Sequence, residues 1–191
     1  MKRATLLVLV GVLFLVPLQL SAADEKTVTV EIEKGVLFKI TTESFVPEKH
    51  KLTYSDTPAN DEGRRCVIAI DGFPFFGDVG CCPPEIKVKS IALTIHGKNY
   101  TLDSSFMYNP LFRSHRYVHF VRKGENIFMI RANFSDGGGS YCAEWYIGNG
   151  KSARTILTDD EGLCGGFLPD EKEQKKEKKD GVIPPPRHSE E

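Results

Sequence analysis

The sequence predicts an all-β fold: an antiparallel, hairpin-built β-sandwich or barrel-like domain, stapled by disulfides and followed by a disordered charged tail. Three observations carry that expectation. Apolar residues alternate at period two in one segment after another, glycine interrupts them at hairpin spacing, and no stretch sustains helical periodicity. No internal repeat of fixed length is visible.

Residues 1–23 read as a signal peptide. Met1-Lys2-Arg3 is basic, an apolar run follows, and Ser21-Ala22-Ala23 is a small-residue exit. Pro17 breaks the run, which falls short of the ~20 apolar residues of a spanning helix. Cleavage after Ala23 would leave a chain with no membrane insertion, secreted or periplasmic. It would also remove Lys2 and Arg3 from 25 basic residues set against 26 acidic ones. That balance offers no concentrated positive charge for phosphate backbones, so nucleic acid is not an expected partner.

Residues 24–169 have the size of a single domain. In TVTVEIEKGVLFKIT, Val28, Val30 and Ile32 form one apolar row and Val36, Phe38 and Ile40 the next. A Glu33-Lys34-Gly35 loop ending in left-handed glycine would set Ile32 against Val36 and Val30 against Phe38. Residues 43–65 are less periodic and read as a connection, and CVIAI (66–70) reads as a strand. In SIALTIHGKNYTL, a Gly97-Lys98 turn would pair Ile95 with Tyr100 and Leu93 with Leu102. A second connection spans 103–115. In YVHFVRKGENIFMIRANF, a Lys123-Gly124-Glu125 loop would set Phe120 against Phe128. The last hairpin, SYCAEWYIGNGKSARTIL, admits two turns. A three-residue Gly148-Asn149-Gly150 loop opposes Glu144 to Arg154, and a two-residue Asn149-Gly150 turn opposes Trp145 to Arg154. Four hairpins and CVIAI make about nine strands, enough for a sandwich or barrel. Residues 170–191 hold only Val182 and Ile183 as aliphatic residues, too little apolar surface to offset ordering entropy.

The chain carries five cysteines, Cys66, Cys81, Cys82, Cys142 and Cys164. Export would bring them to an oxidising compartment, where disulfides are the default. The expected bridges join Cys66 to one of the adjacent pair and Cys142 to Cys164, with crossed pairings left open. The first would clamp DGFPFFGDVG and stabilise the fold by roughly 3 kcal/mol through loop closure. One of Cys81 and Cys82 remains over, as a buried thiol or the link of a disulfide-bonded dimer. Neither the two-residue spacing of a thioredoxin site nor a paired zinc set is present. No cofactor or metal is expected.

Other patterns are weaker. His115 and His119 lie four apart on a strand-forming segment, roughly 13 Å from one another and too distant for one ion. The triple glycine in SDGGGSY lacks the Lys-Ser/Thr and helix of a phosphate loop. Asp159, Asp160 and Glu161 lack calcium-loop spacing and read as a solvated turn. Asp71 and Asp78 could serve as acid and base on a sugar, yet no nucleophile signature accompanies them. Asn99 and Asn133 begin Asn-x-Ser/Thr sequons, relevant only in a host with that pathway.

The reading is therefore a non-enzymatic exported domain that binds a protein or glycan partner. Its contact residues would be Phe73, Phe75 and Phe76 in the 71–80 loop, the 135–140 loop, or an exposed face around Trp145 and Tyr146. The competing expectation for the phenylalanines is that the loop folds them inward. Alternative functions are an inhibitor or immunity-type protein against a secreted hydrolase, and a thiol-redox or metal-handling protein using Cys81-Cys82.

Overall fold

The computed structural model describes residues 24–59, 63–77, 80–112, 117–134 and 139–167. The proposed signal peptide and charged tail lie outside them. Strands β1 (Lys26–Glu33) and β2 (Val36–Ser44) lead to a 3₁₀ turn at Pro47–Lys49 and to β3 (Leu52–Tyr54), β4 (Val67–Ile70) and β5 (Phe73–Pro74). There follow β6 (Ile86–Ile95), β7 (Lys98–Leu102), β8 (Val118–Gly124), β9 (Ile127–Phe134), β10 (Tyr141–Gly148) and β11 (Lys151–Thr158), then the short helix α1 (Glu161–Gly165). Among the described residues no helix is long and apolar enough to cross a membrane.

The strands form three antiparallel sheets, ordered β1-β2-β6-β7, β11-β10-β9-β8 and β3-β4-β5. The inward rows of the two four-stranded sheets share one interior: Phe38, Ile40 and Leu93 meet Ile130, Trp145 and Ile147. This is sandwich packing, with alternate residues of each strand given to a common core. Trp145 is fully buried, and its indole N–H is satisfied by the Asp103 carbonyl at 2.8 Å. The sheet edges are stitched at both sides. The Ser152 hydroxyl donates to the Thr101 carbonyl between β11 and β7, and Arg122 on β8 pairs with Glu33 on β1.

The hairpins are where expected, and the turns decide their registers. Val30 pairs with Phe38, but a bulge after Glu31 places Glu33 rather than Ile32 opposite Val36. The bulge is fixed by the Glu31 carboxylate, which accepts the amide of left-handed Gly35 (φ 80°) at 3.1 Å. In the β6–β7 hairpin Ile95 pairs with Lys98 and Leu93 with Tyr100. The turn is His96-Gly97, both left-handed at φ 47° and 84°, one residue earlier than expected. In the β8–β9 hairpin Phe120 pairs with Ile130, because the turn runs through left-handed Asn126 (φ 58°). Both pairings are displaced by two residues. A two-residue slip leaves every side chain on its own face, so apolar alternation cannot detect it. In the last hairpin the Asn149-Gly150 turn wins and Trp145 pairs with Arg154. Glu144 instead meets Arg131 across β9, with Nε–Oε2 at 2.7 Å.

The third sheet was not visible in the sequence. Strands of two to four residues are too short to show alternation, so β3 and β5 fall in segments read as a connection and a loop. Under this sheet lies a separate small core of Phe45, Val67, Ile70, Phe75 and Tyr108. The Asp159–Glu161 segment caps α1: Asp160 Oδ1 accepts the Leu163 amide at 2.9 Å. That is N-capping rather than metal ligation.

Candidate functional site

Two disulfides form, Cys66–Cys81 and Cys142–Cys164, and Cys82 is free and exposed. The first bridge joins the residue before β4 to the end of the loop leaving β5. The second ties β10 to α1. Bridges of this kind agree with an oxidising compartment.

The first bridge closes the segment carrying Phe73, Phe75 and Phe76, and the fold separates their roles. Phe75 is buried in the small core, edge-on to Tyr108 with ring centroids 5.6 Å apart. Phe76 is half-buried and stacks over Tyr141 at 6.4 Å, against the sandwich interior. Both point inward, as the competing expectation for this loop has it. Phe73 does not: its surface is 48% exposed, and its ring stacks on Phe106 at 3.7 Å. Trp145 does not lie on an exposed face. It is a core residue without exposed surface, while its neighbour Tyr146 points out of the same strand, 42% exposed. Strand alternation sends adjacent residues to opposite faces, so no single exposed face can contain both.

The path of the loop depends on backbone that only glycine can supply. Gly77 has φ 93°, and a Cβ there would lie 2.6 Å from the Tyr108 carbonyl oxygen. Asn109 holds the junction. Its Nδ2 donates to the Gly77 carbonyl at 3.1 Å, while its Oδ1 accepts the amides of Glu85 at 3.0 Å and Ile86 at 3.3 Å.

Before Phe73 comes a tight turn, Asp71-Gly72, with both residues left-handed at φ 54° and 85°. Asp71 Oδ2 meets His50 Nδ1 at 2.6 Å, and Asp71 Oδ1 accepts the Lys51 amide at 2.8 Å. The His50 hydrogen bond, then the Lys51 amide, hold the Asp71 carboxyl below its usual range. His50 is in turn stacked on Phe45, ring centroids 4.6 Å apart. The β4–β5 tip thus presents an ionised carboxylate two residues from the exposed Phe73, whose ring rests on half-buried Phe106. Phe106 packs on the small core and is itself left-handed at φ 60°. Asp78, the carboxylate considered as a partner of Asp71, lies outside the described residues.

Sequence reading missed His50, Phe106 and Asn109. Each sits in an aperiodic connection, and each acts on a residue more than 20 positions away or in another element. The remaining candidates come together less. His119 is half-buried on β8, whereas His115 and most of the 135–140 loop lie outside the described residues. Among the described residues no three His, Cys, Asp or Glu side chains gather as metal ligands. Asn99 is exposed, its Oδ1 accepting the Thr94 hydroxyl at 2.6 Å. Asn133 is buried and donates to the Cys164 carbonyl at 3.3 Å, so its amide is not presented to solvent.

No family model, curated protein or solved structure matches this chain. What the geometry defines is a disulfide-stapled β-sandwich carrying a small auxiliary sheet with an acidic, aromatic tip.

Proposed function

We propose that the chain is an exported, non-enzymatic β domain, secreted or periplasmic, that binds a protein or glycan partner through the β4–β5 tip. One observation carries the reading: Phe73 is left 48% exposed at the end of a loop whose other two phenylalanines are turned inward. Its ring has one face supported by Phe106 and offers the rest to a ligand. Asp71 and Phe106 both hold left-handed backbone, a costly choice for non-glycine residues that is common at ligand-contacting positions. An aromatic platform beside a carboxylate acceptor suits a hydroxyl-bearing sugar ring or a peptide with an apolar anchor. The leader-like residues 1–23 and the two bridges support export.

The test is a pair of Phe73→Ala and Asp71→Ala variants, assayed on glycan arrays and by pull-down from envelope or culture extracts. Wild-type protein should retain a ligand that Phe73→Ala loses at least tenfold, and Phe73→Ala should melt within a few degrees of wild type. Equal retention by wild type and Phe73→Ala sinks the assignment of this tip.

A further inference from the structure

Five cysteines leave one over, and it stands next in the chain to a bridge. Cys66 is joined to Cys81, and the very next residue, Cys82, is the free exposed thiol. The Cys82 thiol folds back to donate to the Gly80 carbonyl at 3.5 Å, across the backbone of Cys81. Cys81 is held left-handed at φ 61°, a region that a residue with a Cβ enters only at a cost. The cluster is therefore three cysteines, two at adjacent chain positions and the third just before β4.

We propose that Cys66, Cys81 and Cys82 form a single exchange site, in which the bridge alternates between Cys66–Cys81 and Cys66–Cys82. The Cys82 thiolate attacks the Sγ of Cys66. A Cys66–Cys82 bond forms, the Cys66–Cys81 bond breaks, and Cys81 leaves as a thiolate that takes up the proton Cys82 released. Two sulfurs stay oxidised throughout, so neither oxidant nor reductant is consumed. Adjacent chain positions keep the attacking thiol at an effective concentration no dissolved thiol matches. The observed bridge spans 15 positions and its isomer one more, so loop-closure entropy hardly separates them. Local geometry sets the balance, and the left-handed Cys81 backbone weighs against the observed isomer. Cys142–Cys164 has no third sulfur beside it and serves as an internal control. The exchange stands whether or not the β4–β5 tip binds a partner.

The experiment uses the full mature chain purified without reductant. It is incubated at mildly alkaline pH, trapped with N-ethylmaleimide at acid pH and mapped by mass spectrometry without reduction. Label should begin on Cys82 and spread to Cys81 with time, at a rate independent of protein concentration, while Cys142 and Cys164 stay unlabelled. Cys81→Ser should form the Cys66–Cys82 bridge and leave no free thiol, and Cys82→Ser should keep the original bridge and never label. Label confined to Cys82 at every time, a Cys81→Ser chain in which Cys66 and Cys82 both label, or a concentration-dependent rate with covalent dimers would each overturn the proposal.

Discussion

The sandwich and the small β3–β4–β5 sheet solve the same problem by different means. In the sandwich, alternating strands of eight to ten residues such as β2, β6 and β10 supply continuous apolar rows, and two sheets bury each other. The small sheet has strands of two to four residues and a core of five buried side chains. So little apolar surface cannot hold three short strands alone. Its place is taken by specific ties: the Cys66–Cys81 bridge, the His50–Asp71 pair and the Asn109 side chain. Hydrophobic burial tolerates variation, whereas each of these ties depends on one or two named residues. The exposed Phe73 stands on the small sheet, and the free thiol of Cys82 lies in the connection between that sheet and β6.

The strongest way to break this comparison is to damage the sandwich. Trp145→Ala removes the largest fully buried side chain and leaves the Asp103 carbonyl without its donor. The expected loss is about 3–5 kcal/mol. Amide exchange should then rise in β9, β10 and the small sheet together, because the small sheet leans on the sandwich through Tyr108 and the Phe45 amide, which donates to the Glu85 carbonyl at 2.8 Å. Persistent protection of β4 after loss of protection in β10 would show that the small sheet is autonomous.

The same division explains what the sequence discloses. Hairpin positions and the buried rows of Val36, Phe38, Leu93 and Ile130 are legible because alternation is a local signal repeated over many residues. The His96-Gly97 turn is not, since it requires a non-glycine residue in left-handed conformation where Gly97-Lys98 satisfies the same pattern. The second bridge and the partnering of Cys66 with the adjacent pair are the expectation that spacing favours, though spacing alone leaves crossed pairings open. The choice of Cys81 over Cys82 is a matter of loop geometry that spacing cannot carry. The β4–β5 tip is half-legible. Its aromatic composition is conspicuous, but which phenylalanine faces out depends on Gly77 and Asn109, and His50 lies 21 positions from the Asp71 it meets.

A more selective variant is Gly77→Ala. The added methyl would collide with the Tyr108 backbone, and φ 93° suits only glycine. Backbone at that junction cannot yield without disturbing Asn109, so a loss of roughly 1–3 kcal/mol is expected. It should be local. Amides that tie the small sheet, such as Phe75 to the Ile68 carbonyl and Asp71 to the Lys51 carbonyl, should exchange faster. Protection in β9 and β10 and the fluorescence of Trp145 should hold. A uniform loss of protection across both regions would erase the distinction between the sandwich and the small sheet.

The smallest effect expected is on acidification. The folded Asp71 carboxyl is held below its ordinary range by the His50 hydrogen bond and then by the Lys51 amide. A carboxyl depressed in this way contributes stability that is fully present above its unfolded value of about 3.9, and that is lost as pH falls through the folded value below it. Protonating Asp71 weakens the acceptor that both His50 Nδ1 and the Lys51 amide use, so the clip between the 3₁₀ turn and the β4–β5 tip loosens while the sandwich stays closed. The side chain is 42% exposed, so solvent screens the contact and the gain is modest. Protection factors of the Lys51 and Asp71 amides, corrected for intrinsic rates, should fall below about pH 4 before those of β10 move. Asp71→Asn should lack that acid step. An acid step that survives in Asp71→Asn, or one that appears in β10 at the same pH, would assign the loosening to other carboxylates and remove this clip from the ties that distinguish the small sheet.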